Sequence, residues 1–398
     1  MSEWKEYKLS DIATIHNKKR IPLNSRQRLE IQGKYPYYGA SGIVDYVNDY
    51  LFDGQYVLIS EDGENLRSRQ TTIAFIAEGK FWVNNHAHIL QGNDYLVNEF
   101  IFYYFQQLNI NPFITGAVQP KLNLQNLLSI PIFMPEREER IRVTKLIHSL
   151  TRKIENLRKQ NETLEKIAQT LFKHWFIDFE FPNENGQPYR SSGGAMQPSE
   201  LGAIPAGWRV GKLGDVVEIN AKSINKDYKH KNIEYVDISS VGVGTLESTT
   251  PYILKDSPSR ARRLVSHGDV IWSGVRPNRK SYLYISHPVS NLVVSTGFIT
   301  LTPNLIPASY LYGWVTTDTF VDYLTFNASG SAYPAVKPEH FEIAEILLPD
   351  ETTLNNFHAL VDTVREKIFY NSKQIQTLTK TRDTLLPELM SGKLRIPE

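Results

Sequence analysis

Three groups of residues have the types and spacing that catalysis or metal binding uses. His86 and His88, in "NNHAH", lie two apart and would share one face of a strand, as a pair of metal ligands does. No third ligand stands near them, so a hydrogen-bonding role is expected instead. Asp62 with Glu78 and Lys80 (in "EGK") imitates the D…E-x-K pattern of magnesium nucleases, in which carboxylates hold the ion and a lysine assists. "NPFI" (Asn111 to Ile114) resembles the Asn-Pro-Pro-Tyr motif of adenine methyltransferases. Its third residue is Phe113 and no glycine-rich cofactor loop precedes it, so Pro112 reads as a helix stop. "GWRVGKL" has the wrong spacing for a phosphate loop and lacks its hydroxyl residue, and no G-x-G-x-x-G occurs. No catalytic residue, metal or cofactor is therefore expected. A magnesium-dependent DNA nuclease built on Asp62, Glu78 and Lys80 stands as the enzymatic alternative.

A different chemistry is written in the polar loops. "SEDGENLRSRQ" groups Asn65, Arg67, Ser68, Arg69 and Gln70, and "SGVRPNRKSY" groups Arg276, Asn278, Arg279, Lys280 and Tyr282. Each loop comes after an apolar run, "YVLIS" and "DVIW". Arg can bond guanine through two hydrogen bonds, Asn and Gln can bond adenine, and Lys and Ser suit phosphates. A second pair of loops adds Gln119 and Lys121 in "TGAVQPKLN", and Ser331, Tyr333 and Lys337 in "ASGSAYPAVK". "YPYYGASG" contributes Tyr38 and Ser41, and "SRARR" supplies Arg260, Arg262 and Arg263. These residues are the candidate DNA contacts, although tyrosines in such runs serve equally well as core. Glu61, Asp62 and Glu64 oppose phosphate but can accept from a cytosine amino group.

What positions these loops is a repeat. "WKEYKLSDIATI" (Trp4 to Ile15) returns as "WRVGKLGDVVEI" (Trp208 to Ile219). "GAVQPKLNLQNLLSIPIFMP" returns as "GSAYPAVKPEHFEIAEILLP", a shift that carries Gly116 onto Gly330. A seam of alternating threes and fours, Ile147, Leu150, Ile154, Leu157, Asn161, Leu164, Ala168, Leu171 and Trp175, returns at the same shift from Val361 to Leu389. That is a heptad pattern, and one such helix cannot bury its own seam. Asn161 occupies an a position and Asn371 a d position. An antiparallel pair sets a against d, so Asn161 opposite Asn371 gives each buried amide a polar mate. Ile147 then faces Leu385, Ile154 faces Leu378, Leu164 faces Ile368, and Arg382 faces Leu150 near an end where its head can reach water. The stretch from Ile147 to Trp175 spans ~42 Å at a helical rise of ~1.5 Å per residue. That is comparable with the ~34 Å between two half-sites on DNA.

The expected architecture is α+β: two globular, strand-rich domains joined by two long helices in an antiparallel coiled coil with pseudo-twofold symmetry. Boundaries are expected at 1–138, 139–180 (first helix), 181–207 (a Pro-, Gly-, Ser- and Asn-rich linker), 208–349, and 350–398 (second helix and tail). At 398 residues the chain is too long for one core. It has no cysteine for disulfides or thiolate metal sites, no apolar run of the ~18 residues that span a membrane, and a polar start unlike a signal peptide. A cytoplasmic protein is expected. A net charge of +1 lacks the strong basic excess common in nucleic-acid binders, so any DNA contact must be local.

This organisation resembles the specificity subunits of type I restriction-modification systems. "LLPELMSGKLRI" (Leu385 to Ile396) is similar to that family's ending, and "LFKHWFIDFEFP" (Leu171 to Pro182) to the segment after its first helix. The closing G…P…L…IPI pattern from Gly116 to Ile132 is similar as well. The resemblance implies two target-recognition domains, each reading one half-site of a bipartite, asymmetric double-stranded DNA target. It implies a non-catalytic subunit that docks two S-adenosylmethionine-dependent methyltransferase (M) subunits and, in the restriction complex, two ATP-dependent restriction (R) subunits. Phe172, Phe176 and Phe179, outside the seam, are the candidate docking residues. A coiled-coil scaffold that does not read DNA is the remaining alternative.

Overall fold

The computed structural model describes residues 4–330 and 333–396. The chain divides into two compact units, Met1–Asn156 with Gln374–Glu398, and Leu157–Lys373. Each is an α+β body, strand-rich around its sheets, and each includes part of both long helices, Arg137–Phe176 and Glu351–Met390.

The first unit is built on a six-stranded sheet in the order Ala13–Ile15, Ala87–Gly92, Phe52–Ser60, Ala74–Val83, Gln32–Gly39, Gly42–Val47. The continuous apolar run in Phe52–Ser60 is explained by burial on both faces. Val57 and Ile59 pack with Phe100, Ile101 and Phe105 of the helix Tyr95–Gln107, while Tyr56 and Leu58 pack with Phe52, Phe81 and Ile89 on the other side. That helix starts at Asp94, whose carboxylate accepts from the Val97 amide at 2.9 Å.

The second unit repeats the centre of this sheet. Val217–Ile219, Phe298–Pro303, Val270–Ser273 and Tyr282–Tyr284 lie side by side in the same order as the first four strands above. A separate four-stranded sheet (Thr250–Ile253, Asn232–Val236, Leu292–Ser295, Ala261–Leu264) is added. Two helices, Ala308–Val315 and Asp318–Asn327, stand where the first unit has one, with Thr317 capping the second of them at 3.2 Å.

The two repeated sequence segments turn out to be the two strands of one ribbon. Lys5–Lys8 pairs antiparallel with Pro131–Met134, and Arg209–Lys212 with Glu345–Leu348. Leu9 and Leu213, the leucines of the repeated "KL", are fully buried where the ribbon enters each core.

Within the second unit the long helices run antiparallel. Asn371 donates to the Asn161 side-chain oxygen at 2.9 Å, and Asn161 donates to Ser372 Oγ at 3.2 Å. One turn further along the first helix, Glu165 pairs with Arg365, which lies earlier on the second than Asn371 does. Trp175 then meets Phe357, ring centroids 5.8 Å apart. Within the first unit Ile147 joins one apolar cluster with Leu385, Leu386 and Leu389, and Glu139 pairs with Arg395. Arg382 folds its guanidinium onto Asp383, with 27% of the side chain exposed.

Phe172, Phe176 and Phe179 do not form an exposed docking surface. Phe172 and Phe176 are buried among Tyr310 and Phe357, and Phe179 stands edge-on to Trp208 at 5.9 Å. The seam pattern located the helix, but these aromatics lie on flanking positions that the neighbouring sheet and helices of the same unit cover.

Candidate nucleic-acid interface

In each unit, backbone hydrogen bonds bring the two polar loops together, and the same bonds recur. Thr115 and Lys121 exchange two bonds of 2.8 Å; Ser329 and Ala335, which the repeat places opposite them, exchange bonds of 3.0 and 2.9 Å. Gly63 N donates to Pro120 O (3.1 Å), and Arg276 N donates to Pro334 O (2.6 Å). Leu122 N donates to Glu61 O, and Val336 N donates to Gly274 O, both at 2.8 Å. The tight turn needs glycine. Gly116 has φ +86°, and a Cβ there would lie 2.1 Å from the Gln119 carbonyl; its counterpart Gly330 has φ +105°.

In the first unit the loop after Phe52–Ser60 turns through Gly63 and a short helix, Asn65–Ser68, that ends at Arg69 in the left-handed region (φ 52°). Arg67 donates to the Gly116 carbonyl at 2.7 Å and so ties the loop to its neighbour. Ser68, Gln70 and Gln119 belong to the same paired loops, with Ser68 and Gln119 exposed. Ser41 is exposed at a hairpin tip, held to the same place because Ser60 Oγ donates to the Ala40 carbonyl. Three candidates are spent internally. Arg69 turns inward and donates to the carbonyls of Leu108 (2.7 Å) and Phe105 (3.2 Å), satisfying the end of Tyr95–Gln107, and burial lowers its pKa. Asn65 clasps Thr71, accepting from its amide at 2.9 Å and donating to its carbonyl at 3.1 Å. Tyr38 stacks on Phe75, 5.6 Å between centroids, and burial raises its hydroxyl pKa.

Under this rim lies a charge network. Glu61 accepts from Arg20 at 2.6 Å, and Lys121 Nζ stands 3.5 Å away. Burial works against the Glu61 charge, but the hydrogen bond from Arg20 and the charges of Arg20 and Lys121 outweigh it and hold the carboxyl below its usual range. His88 is buried, with Nε2 2.7 Å from the Leu122 carbonyl and Nδ1 2.8 Å from Asn17 Nδ2. Nε2 therefore carries the proton and Nδ1 accepts, and burial keeps the ring's pKa lowered. Both nitrogens are committed to the protein, so His86 and His88 do not act as a ligand pair. His86 is exposed and pairs instead with Asp62 at 2.9 Å. Arg20 and Asn17 escaped notice in the sequence because a long stretch of chain separates each from the group it holds.

The nuclease pattern does not assemble. Glu78 is paired with Gln55 and Lys80 lies over the Tyr50 ring at 4.5 Å. Asp62 lies well beyond Gln55 along the chain, roughly 20 Å away if the strand stays extended.

In the second unit Arg276 (φ 52°) lays its guanidinium 4.4 Å from the centroid of the Tyr333 ring, itself 68% exposed. Asn278, Arg279 and Lys337 sit on the same pair of loops. Lys280 pairs with Asp318 at 2.7 Å. Tyr282 is no surface residue: it is 3% exposed, packs 5.1 Å from Trp272, and burial pushes its pKa up to about 12. Ser331 lies outside the described residues.

Each unit thus presents a β-rich body, part of the long packed helices and a pair of hydrogen-bonded polar loops. Residues 1–166 match the family model described as the type I restriction modification DNA specificity domain. The chain is 27% identical over 335 residues to the type I restriction enzyme MjaIX specificity subunit of Methanocaldococcus jannaschii, covering 81% of this chain and 75% of that one. It is 22% identical to the HindI specificity subunit of Haemophilus influenzae, covering 99% and 100%. A crystal structure of the type I restriction-modification S subunit from M. genitalium shares the fold, with a TM-score of 0.64 at 14% identity over 98% of this chain and 96% of that one. Residues 1–166 thus carry a type I restriction modification DNA specificity domain, and the likenesses along the whole chain support a DNA specificity subunit, the non-catalytic subunit, of a type I restriction-modification system.

Proposed function

We propose that each recognition domain reads one half-site of a two-part, asymmetric DNA target. The domains are taken as 1–138 and 208–349, the helical segments as 139–180 and 350–398, and 181–207 as the linker. The observation that carries this reading is the repeated set of backbone bonds holding two polar loops on each unit, with different side chains on the two frames. A shared frame with unlike readers suits two unlike half-sites. Ser41, Arg67, Ser68, Gln70, Gln119 and Lys121 are the contacts in one domain; Arg276, Asn278, Arg279, Tyr333 and Lys337 are those in the other.

The long helices serve as docking ground for two methyltransferase subunits, which supply S-adenosylmethionine chemistry, and restriction subunits join the same complex in the cytoplasm. Leu360 and Tyr370, 51% and 63% exposed on the second helix, take the docking role that Phe172 and Phe176 cannot. No helix of the described residues is long and apolar enough to cross a membrane.

Methylome sequencing of a host carrying this chain and its methyltransferase tests the reading. A two-part adenine motif is expected, and exchange of residues 208–349 for another recognition domain should alter one part only. Change in both parts would defeat the assignment of one half-site to each domain. Methylation without sequence preference would leave the scaffold.

A further inference from the structure

His267 and His287 stand outside the loops that face DNA. They flank the open end of the antiparallel pair Val270–Ser273 and Tyr282–Tyr284, where Val270 lies opposite Tyr284. Two further bonds extend the ladder toward them: Gly268 N donates to Ile285 O at 2.9 Å, and Ile285 N donates to Asp269 O at 2.8 Å. The two imidazoles are thereby set side by side, ring centroids 4.4 Å apart. From the second long helix Glu366 brings a carboxylate oxygen to 2.5 Å from His287 Nε2. One donor atom from each of the three residues lies within 4.8 Å of the others.

We propose that His267, His287 and Glu366 form a binding site for a divalent transition-metal ion of the zinc type. Two imidazoles and a carboxylate are the donors such ions take. Calcium and magnesium prefer all-oxygen sites. Three protein ligands leave a position for water. The site is held rather than floppy. His287 sits in the left-handed region (φ 41°) ahead of Pro288, a costly conformation that its surroundings must enforce. The Phe369 ring packs against its imidazole at 4.8 Å. Metal capture exchanges protons and hydrogen bonds for the ion. The proton between His287 Nε2 and the Glu366 carboxylate leaves to solvent or to His287 Nδ1, and His267 binds through Nδ1, giving up the 3.2 Å hydrogen bond from the His287 amide while Nε2 keeps its proton. Because the ligands come from a sheet hairpin and from the long helix, the ion pins one to the other within this unit.

The untagged full-length chain, stripped of metal with a chelator, is titrated with Zn²⁺ by calorimetry. One ion per chain is expected, with a rise of about 5 °C or more in unfolding temperature once free Zn²⁺ exceeds Kd a hundredfold. Co²⁺ in its place should give ligand-field absorbance in the visible. His287→Ala and Glu366→Gln should each weaken Zn²⁺ binding at least tenfold and lose the Co²⁺ signal, whereas His86→Ala should keep both. Glu366→Gln preserves shape, so it answers the question even where an alanine variant folds poorly. Absence of stoichiometric binding, or binding that survives in both Glu366→Gln and His287→Ala, overturns the site.

Discussion

Arg67 and Arg69 are two positions apart in one polar loop, yet one faces the neighbouring loop and the other caps a helix. Nothing local separates them; the carbonyls that decide the matter come from Phe105, Leu108 and Gly116. Tyr282 and Asn278 part in the same way, since the short strand Tyr282–Tyr284 returns the chain to the core directly after the turn. Loop composition therefore picked out the paired loops without saying which of their side chains point outward. The Glu61–His88 network makes a prediction at this scale. His88 has a lowered pKa in the folded state, so the unfolded chain binds the proton more tightly. Its contribution is complete above the ordinary value of 6.5 and is lost as pH falls below it. Glu61 adds to the loss only below the ordinary carboxylate value of 4.5. Thermal unfolding measured between pH 8 and 5 should show stability declining below about 6.5, by up to about 1.4 kcal/mol per pH unit for the single proton. In His88→Gln that decline should flatten, even though the protein melts lower at neutral pH. An unchanged slope would place the titration elsewhere.

The heptad seam was legible because burial of a stripe demands a period of three and four, and the two seam asparagines are bonded to each other in the second unit. The flanking aromatics were misread because a helix face outside its seam says nothing about whether a domain leans on it. Replacing Asn371, 2% exposed, by Leu removes one partner and leaves the Asn161 amide short of a bond, at a cost of about 1–3 kcal/mol. The double change, Asn161→Leu with Asn371→Leu, should recover most of that loss, since two apolar groups leave no polar atom stranded. Urea unfolding midpoints of the singles and the double give the coupling directly. Additive losses would mean the two amides act independently.

For the molecule as a whole, 44 Lys and Arg against 43 Asp and Glu provide no general attraction to a duplex. On the proposed reading, affinity comes from the cations at the paired loops. Lys121→Gln and Arg279→Ala should each make log K about one unit less steep in log salt, measured by anisotropy on target DNA in the assembled complex. Arg69→Gln, which unseats a helix end, should lower the melting temperature and leave that slope alone. The repeat made this scale the most readable one: the shift that carries Gly116 onto Gly330 also carries Pro131–Met134 onto Glu345–Leu348 and the Thr115–Lys121 bonds onto Ser329–Ala335. It could not foretell the extra four-stranded sheet of the second unit, whose strands lie in segments without a counterpart.

The ribbon made by Lys5–Lys8 with Pro131–Met134, and again by Arg209–Lys212 with Glu345–Leu348, has one more implication. Each recognition module enters and leaves through adjacent strands, like a drawer whose two runners sit side by side. Whatever lies between the runners can differ in size and content, as the added sheet already shows, while the cabinet keeps its fittings. Genetic exchange at those two places can thus renew what the protein recognises without redesigning the rest.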